Sequence, residues 1–266
     1  MTVFPPTMNH LPCRLTILLA VGLFLSTSVN AQDSFEVQVY ESDIVPVDQY
    51  ELDMHTIFVQ RGSNAWEGTV APSNRQEHLA FEFTRGMTEE SEMGSYLLFA
   101  HRPDGATEFA GFRLRPRVKA PDGWKLPVGL SLSAEIGFPQ LQYEPNHVTL
   151  EIRPIIDKTF GRWKFDINPI VTFAFNGPEA HEGMGLEPEA MIAYEITPDQ
   201  FRLMLEYYTA LGPAHHLLPT DQQVHMLYPK IEYAFSQSFV INAGVGTGLT
   251  NASDSFVWAL RFTFSF

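Results

Sequence analysis

The sequence predicts an all-β fold: a single antiparallel up-and-down transmembrane β-barrel of about 12 strands. Three observations predict it. The ribbon Phe256-Val-Trp-Ala-Leu-Arg-Phe-Thr-Phe-Ser-Phe266 puts Phe256, Trp258, Leu260, Phe262, Phe264 and Phe266 on one strand face. Val257, Ala259, Arg261, Thr263 and Ser265 take the other, because strand side chains alternate. The same alternation recurs in run after run. Aromatic residues gather beside the short connections, where rings favour a bilayer's headgroup level.

Composition agrees. The chain has 266 residues, 45% hydrophobic, 13% aromatic and only 18% charged. Ordinary soluble domains carry roughly 25% charged residues. Net charge is −14, with pI near 5.0, so a nucleic-acid partner is not expected. Beyond the N-terminus no stretch reaches the ~20 apolar residues of a membrane helix. Any crossing must use strands.

Residues 1–31 read as a signal peptide. Arg14 precedes the apolar run Leu15 to Leu25, and small residues Val29 and Ala31 stand before an expected cut after Ala31. The sole cysteine, Cys13, lies in this stretch, so the exported chain would have no disulfide or thiolate chemistry. Residues 32–49 form an acidic lead-in without Lys or Arg. Phe35-Glu-Val-Gln-Val-Tyr40 fits a short strand or helix that Pro46 ends. Residues 50–266 form the barrel.

The alternating runs span about 50–61, 76–86, 93–102, 107–119, 127–138, 147–158, 162–175, 186–197, 200–211, 223–235, 238–250 and 254–266. In the fifth, Val128, Leu130, Leu132, Ala134, Ile136 and Phe138 alternate with Gly129, Ser131, Ser133, Glu135 and Gly137. Connections near 159–162, 198–200 and 236–238 are tight; those near 62–75, 139–146, 176–185 and 212–222 are long. Outer-membrane barrels show this two-rim asymmetry. Pro116, Pro154, Pro188 and Pro229 each sit in a strand running toward the short turns, where bulges are expected.

Alternation turns many charges inward. The lumen-facing candidates are Arg113, Arg115, Arg117, Glu135, Glu151, Arg153, Asp166, Glu189, Glu206, Lys230, Glu232 and Arg261. Their signs nearly balance. They can pair across a filled lumen or line a narrow channel, since about twelve strands lie between filled and water-filled barrels. Arg113, Arg115 and Arg117 form a basic stripe. Either glutamates of the fifth and sixth strands pair with it, or the acidic lead-in docks on it as a plug. Asp53 is a candidate partner for Arg261 in a closed barrel.

No hydrolase, zincin or phosphate-loop motif is present, and no cofactor or metal is expected. His147 begins a strand but has Thr149, not serine, two residues on. His215-His216 and His181 read as solvated loop residues.

The ending Trp258-Ala-Leu-Arg-Phe-Thr-Phe-Ser-Phe266 resembles the C-terminal assembly signal of twelve-stranded Gram-negative barrels. Trp258, Leu260, Phe262, Phe264 and Phe266 carry it. The resemblance implies the outer membrane, contact with its lipid, the barrel-assembly machinery as a partner, and a C-terminus at the periplasmic rim. Phe35-Glu-Val-Gln-Val-Tyr-Glu41, Gln49-Tyr-Glu-Leu-Asp-Met-His-Thr56, Pro188-Glu-Ala-Met-Ile-Ala-Tyr194 and Pro229-Lys-Ile-Glu-Tyr233 are similar to the "MetA-pathway of phenol degradation" transporter-type barrels. That similarity implies passive passage of small, hydrophobic or aromatic solutes without catalysis. A closed structural or interaction barrel and a lipid-acting surface enzyme are the alternatives.

Overall fold

The computed structural model describes residues 33–266; the expected signal peptide lies outside the described residues. Fifteen strands build one antiparallel sheet. They are β1 (Tyr50–Arg61), β2 (Glu77–Thr88), β3 (Ser91–His101), β4 (Thr107–Lys119), β5 (Gly129–Pro139), β6 (Val148–Phe160), β7 (Trp163–Asn168), β8 (Val171–Asn176), β9 (Gly185–Leu186), β10 (Glu189–Thr197), β11 (Phe201–Ala210), β12 (Gly212–Pro213), β13 (Val224–Ser236), β14 (Phe239–Gly248) and β15 (Phe256–Ser265).

Fifteen strands make twelve staves. β7 and β8 are two halves of one stave, broken at Pro169; β9 and β10 are halves of the next, broken at Pro188. Asn168 faces Glu189 and, past the break, Val171 faces Leu186, so the register runs through unshifted. The Glu187 amide donates to the Ile170 carbonyl inside the gap, 3.0 Å. β12 extends β11. β1 pairs β15 from Glu51↔Ser265 to Arg61↔Phe256, which closes the barrel and leaves no edge to cover.

The walls sort residues opposite to a soluble protein. Leu97, Val118 and Ile167 are 52%, 51% and 54% exposed, whereas Glu82, Arg115 and Asp166 are 2%, 4% and 1% exposed. Apolar outside with charge inside suits a wall that faces hydrocarbon. The last strand obeys the pattern: Val257 and Ala259 are buried and Trp258 points out, its indole N–H donating to Gln60 at 2.7 Å.

At the short-turn rim the rings touch in series. Trp163 meets Tyr194 (4.7 Å), Phe201 meets Tyr233, Tyr233 meets Phe235 (4.7 Å), Phe235 meets Phe239 and Phe239 meets Phe264 (5.0 Å). Phe266 then bridges to Tyr50 and Phe83.

The proline expectation needs correction. Pro116, Pro154 and Pro229 create no register-shifting bulge, whereas across Pro188 the pairing with β11 and β12 slips by one residue, from Glu189↔Tyr208 to Leu186↔Gly212. Pro154 pairs with Leu132 in regular register, and pairing resumes unshifted on either side of Pro116 and Pro229. Pro116 and Pro229 face outward, each between two buried luminal residues. A missing ladder donor there costs one bond and displaces nothing. Other bulges lie away from the prolines, three of them beside tight turns, at Gly86/Thr88, Glu195/Thr197 and Ala234/Ser236.

Candidate functional site

The lumen is occupied by the chain's own lead-in. Residues 33–49 run inside the barrel without a helix or ladder of their own, which corrects the expected short strand or helix. They enter at the short-turn rim, where the Asp48 amide donates to Gly86 O and Gly86 N–H donates to Gln49 O, both at 3.1 Å. Only glycine fits here, since a Cβ on Gly86 would stand 2.0 Å from the Pro46 carbonyl oxygen. The segment ends its ascent beside the long loops, where Phe35 stacks on His78 at 4.7 Å and meets Tyr143 edge-on.

Side chains alternate along this extended stretch, and its two faces find different walls. Phe35 packs with Ala80, Tyr96 and Leu98. Val37 and Val39 join Ile57, Met191, Met204 and Tyr228 in a second apolar cluster. The upper lumen is therefore less polar than strict alternation suggested.

The opposite face is ionic. Tyr40 lies among three guanidinium groups, with Arg115 and Arg153 each 4.8 Å and Arg117 5.4 Å from its ring centre. Each such contact contributes ~0.5–2 kcal/mol, more when desolvated. The Tyr40 hydroxyl donates to Glu36 and lies 2.8 Å from the Tyr96 hydroxyl. The Tyr40 backbone forms a two-point pair with the Asn168 amide: Tyr40 N–H donates to Oδ1 (2.8 Å), and Nδ2 donates to Tyr40 O (2.9 Å). The Ser42 amide donates to Asp157 and the Val45 amide to Glu92.

The predicted luminal residues fall around this segment. Arg113 pairs with Asp33 and with Glu135 at 3.2 Å. Arg115 pairs with Glu82 and with Glu92 at 3.1 Å, and donates to Tyr96. Arg117 donates to the Glu41 carbonyl. Arg153 holds Glu151 (2.6 Å) and Glu189 (3.1 Å). Lys230 binds Glu206 at 2.8 Å and the Val37 carbonyl at 2.7 Å. Glu232 joins Arg202 (2.7 Å) and Arg261 (3.3 Å), and Arg261 lies 3.8 Å from Asp53. Glu41 bridges Lys164 and Arg202, both at 2.5 Å.

Two differences stand out. Arg115 and Arg117 turn away from the fifth and sixth strands toward glutamates of β2 and β3. The cause is Gly94, paired directly with Arg115: its missing side chain lets the guanidinium cross β3. Asp166 points inward as expected, yet neither carboxylate oxygen has a hydrogen-bond partner, and Asp157 faces it across the ladder. Sequence reasoning passed over Tyr40, Tyr96, Glu92 and His55, and set Asn168 on the inward face without a role. The alternation of β3 carried a signal for two of them, since residues 92, 94, 96 and 98 share one face.

Above the segment a pocket opens among the long loops. Phe35, Leu98, Tyr143 and Phe173 give it apolar walls; Glu135, Glu144, Glu151 and Glu187 line it with carboxyl groups, against the single guanidinium of Arg113. Asn146 Nδ2 donates to both Glu144 (2.8 Å) and Glu179 (2.7 Å). Burial, with Glu179 beside it, pushes the Glu144 carboxyl from 4.5 to about 7. The folded loop thus binds this proton more tightly than the open loop. The resulting stabilisation is complete below 4.5 and is lost as pH rises past about 7. Amide exchange over residues 140–147 should be faster at pH 8 than at pH 5 by on the order of tenfold beyond the intrinsic base-catalysed rise. Glu144→Gln should abolish that excess.

A family model described as "Putative MetA-pathway of phenol degradation" matches residues 69–266. No curated protein is detectably similar in sequence. Among solved structures, the fold is similar to the COG4313 outer membrane channel from Pseudomonas putida F1 at 12% identity. That match covers 87% of this chain and 100% of the channel, with a TM-score of 0.57. It is also similar to the KdgM porin, solved in complex with disordered oligogalacturonate. Identity there is 8%, coverage 81% and 99%, and the TM-score 0.53.

Proposed function

The chain belongs to the family described as the MetA-pathway of phenol degradation, and from that premise we propose that it is a passive outer-membrane channel for small apolar or aromatic solutes, with residues 33–49 as its plug. The observation that carries this reading is the occupied lumen. The obstruction includes a peptide with its own apolar and ionic faces, threaded between wall side chains that also pair with one another.

Location follows from the apolar exterior and the aromatic rim. With short turns at the periplasmic rim, Phe266 lies there too, where the assembly machinery would read Trp258, Leu260, Phe262, Phe264 and Phe266. The outer cavity supports the solute class. Its rings and aliphatic side chains favour an apolar body, and its glutamates disfavour organic anions. The chemistry is transfer alone; no residue is assigned a catalytic role.

A permanently closed barrel is the second reading, supported by the dense luminal ion pairing. Uptake separates the two. In cells lacking their own general porins, expression of this chain should speed entry of a neutral radiolabelled aromatic solute, and benzoate should gain less. Entry equal to the empty-vector control for both solutes would remove the channel.

A further inference from the structure

Glu36, His55 and Glu82 come from the luminal segment, β1 and β2, and one ligand atom of each lies within 4.8 Å of the others. All three are deeply buried, at 5%, 2% and 2% exposure. His55 Nε2 has no hydrogen-bond partner and faces Glu82 Oε2 at 3.7 Å. The remaining groups hold the carboxylates in place. The Tyr40 hydroxyl donates to Glu36 Oε1, and Arg115 grips Glu82 Oε1. That leaves Glu82 Oε2 with only a long contact to Tyr40, 3.4 Å.

A buried imidazole nitrogen without a partner is costly, and a cation would satisfy it. The local charge also favours one. Asp53 sits opposite Glu82 in the ladder, so three carboxylates crowd this point against the guanidinium groups of Arg115 and Arg261. Zinc-like ions hold nitrogen and oxygen ligands at about 2.0–2.2 Å, which sets a span of at most about 4.4 Å across the ion. Binding would require the side chains to close their 4.8 Å spread to that span. One imidazole with two carboxylates suits Zn²⁺ and its first-row neighbours, whereas Ca²⁺ and Mg²⁺ prefer oxygen alone.

We propose that Glu36, His55 and Glu82 form a divalent transition-metal site that clasps the luminal segment to the barrel wall. The sites 36, 55 and 82 are too far apart in sequence for any metal motif to reveal them. The site stands whether or not the pore conducts, because its test reads binding.

The full chain, refolded in detergent, is titrated with Zn²⁺ by calorimetry and with Co²⁺ by visible absorption. One equivalent should bind, with a Co²⁺ spectrum showing nitrogen ligation. His55→Gln and Glu36→Gln should each weaken that equivalent about tenfold or more. Glu36 lies off the barrel wall, so its variant tests the site even if the His55 variant fails to fold. No bound equivalent in the parent protein overturns the proposal. Binding that both variants leave unchanged also overturns it and assigns the ion to the loop histidines.

Discussion

Deleting residues 33–48 should raise single-channel conductance several-fold in planar bilayers and shift selectivity toward anions. Both effects follow from what leaves the lumen. The segment carries five acids, Asp33, Glu36, Glu41, Asp43 and Asp48, and no base. Arg113, Arg117, Lys164, Arg202 and Lys230 all contact it. Without it they line an open path with positive charge, and oriented fixed charge sets which ions concentrate there. The closing ladder between β1 and β15 begins past the deletion, at Glu51↔Ser265, so the wall is untouched. Unchanged conductance with unchanged selectivity would mean that the segment blocks nothing.

The largest stability effect is expected at Arg115. Replacing it with Leu strands Glu82, which is 2% exposed, leaves Glu92 with Arg117 alone at 3.6 Å, and removes the donor to Tyr96 and one cation over Tyr40. Breaking a buried pair from one side costs ~3–5 kcal/mol, mostly because the surviving charge has no counter-ion. Urea unfolding of the lipid-refolded protein should register that loss. The double change Arg115→Leu with Glu82→Leu should recover part of it, as neighbouring sites couple. A single variant within ~0.5 kcal/mol of the parent would show that water already reaches this centre.

How far the sequence reveals this molecule depends on the period of each signal. A strand's faces repeat every second residue, so Leu130 and Leu132 outside and Ser131 and Ser133 inside are readable without coordinates. The ring of Phe235, Phe239 and Phe264 is readable because short turns mark one rim. The partner of an inward charge is another matter. Arg115 could reach β5 or β3, and a glycine one strand away decides between them. The role of Tyr40 has no local trace, because its three arginines are 75, 77 and 113 residues along the chain. His55 and Glu82 look like two ordinary wall residues until Glu36 is placed against them.

The lead-in has one more consequence, and it concerns parity. An even number of staves returns a chain to the rim it started from, so Tyr50 and Phe266 meet, their amides and carbonyls paired at 2.8 and 2.9 Å. The threaded segment adds a thirteenth traverse that is neither strand nor helix. Its far end, with the Ser34 carbonyl 2.7 Å from His78 Nδ1, lies toward the long loops. Residue 33 and residue 266 therefore look to opposite sides of the wall.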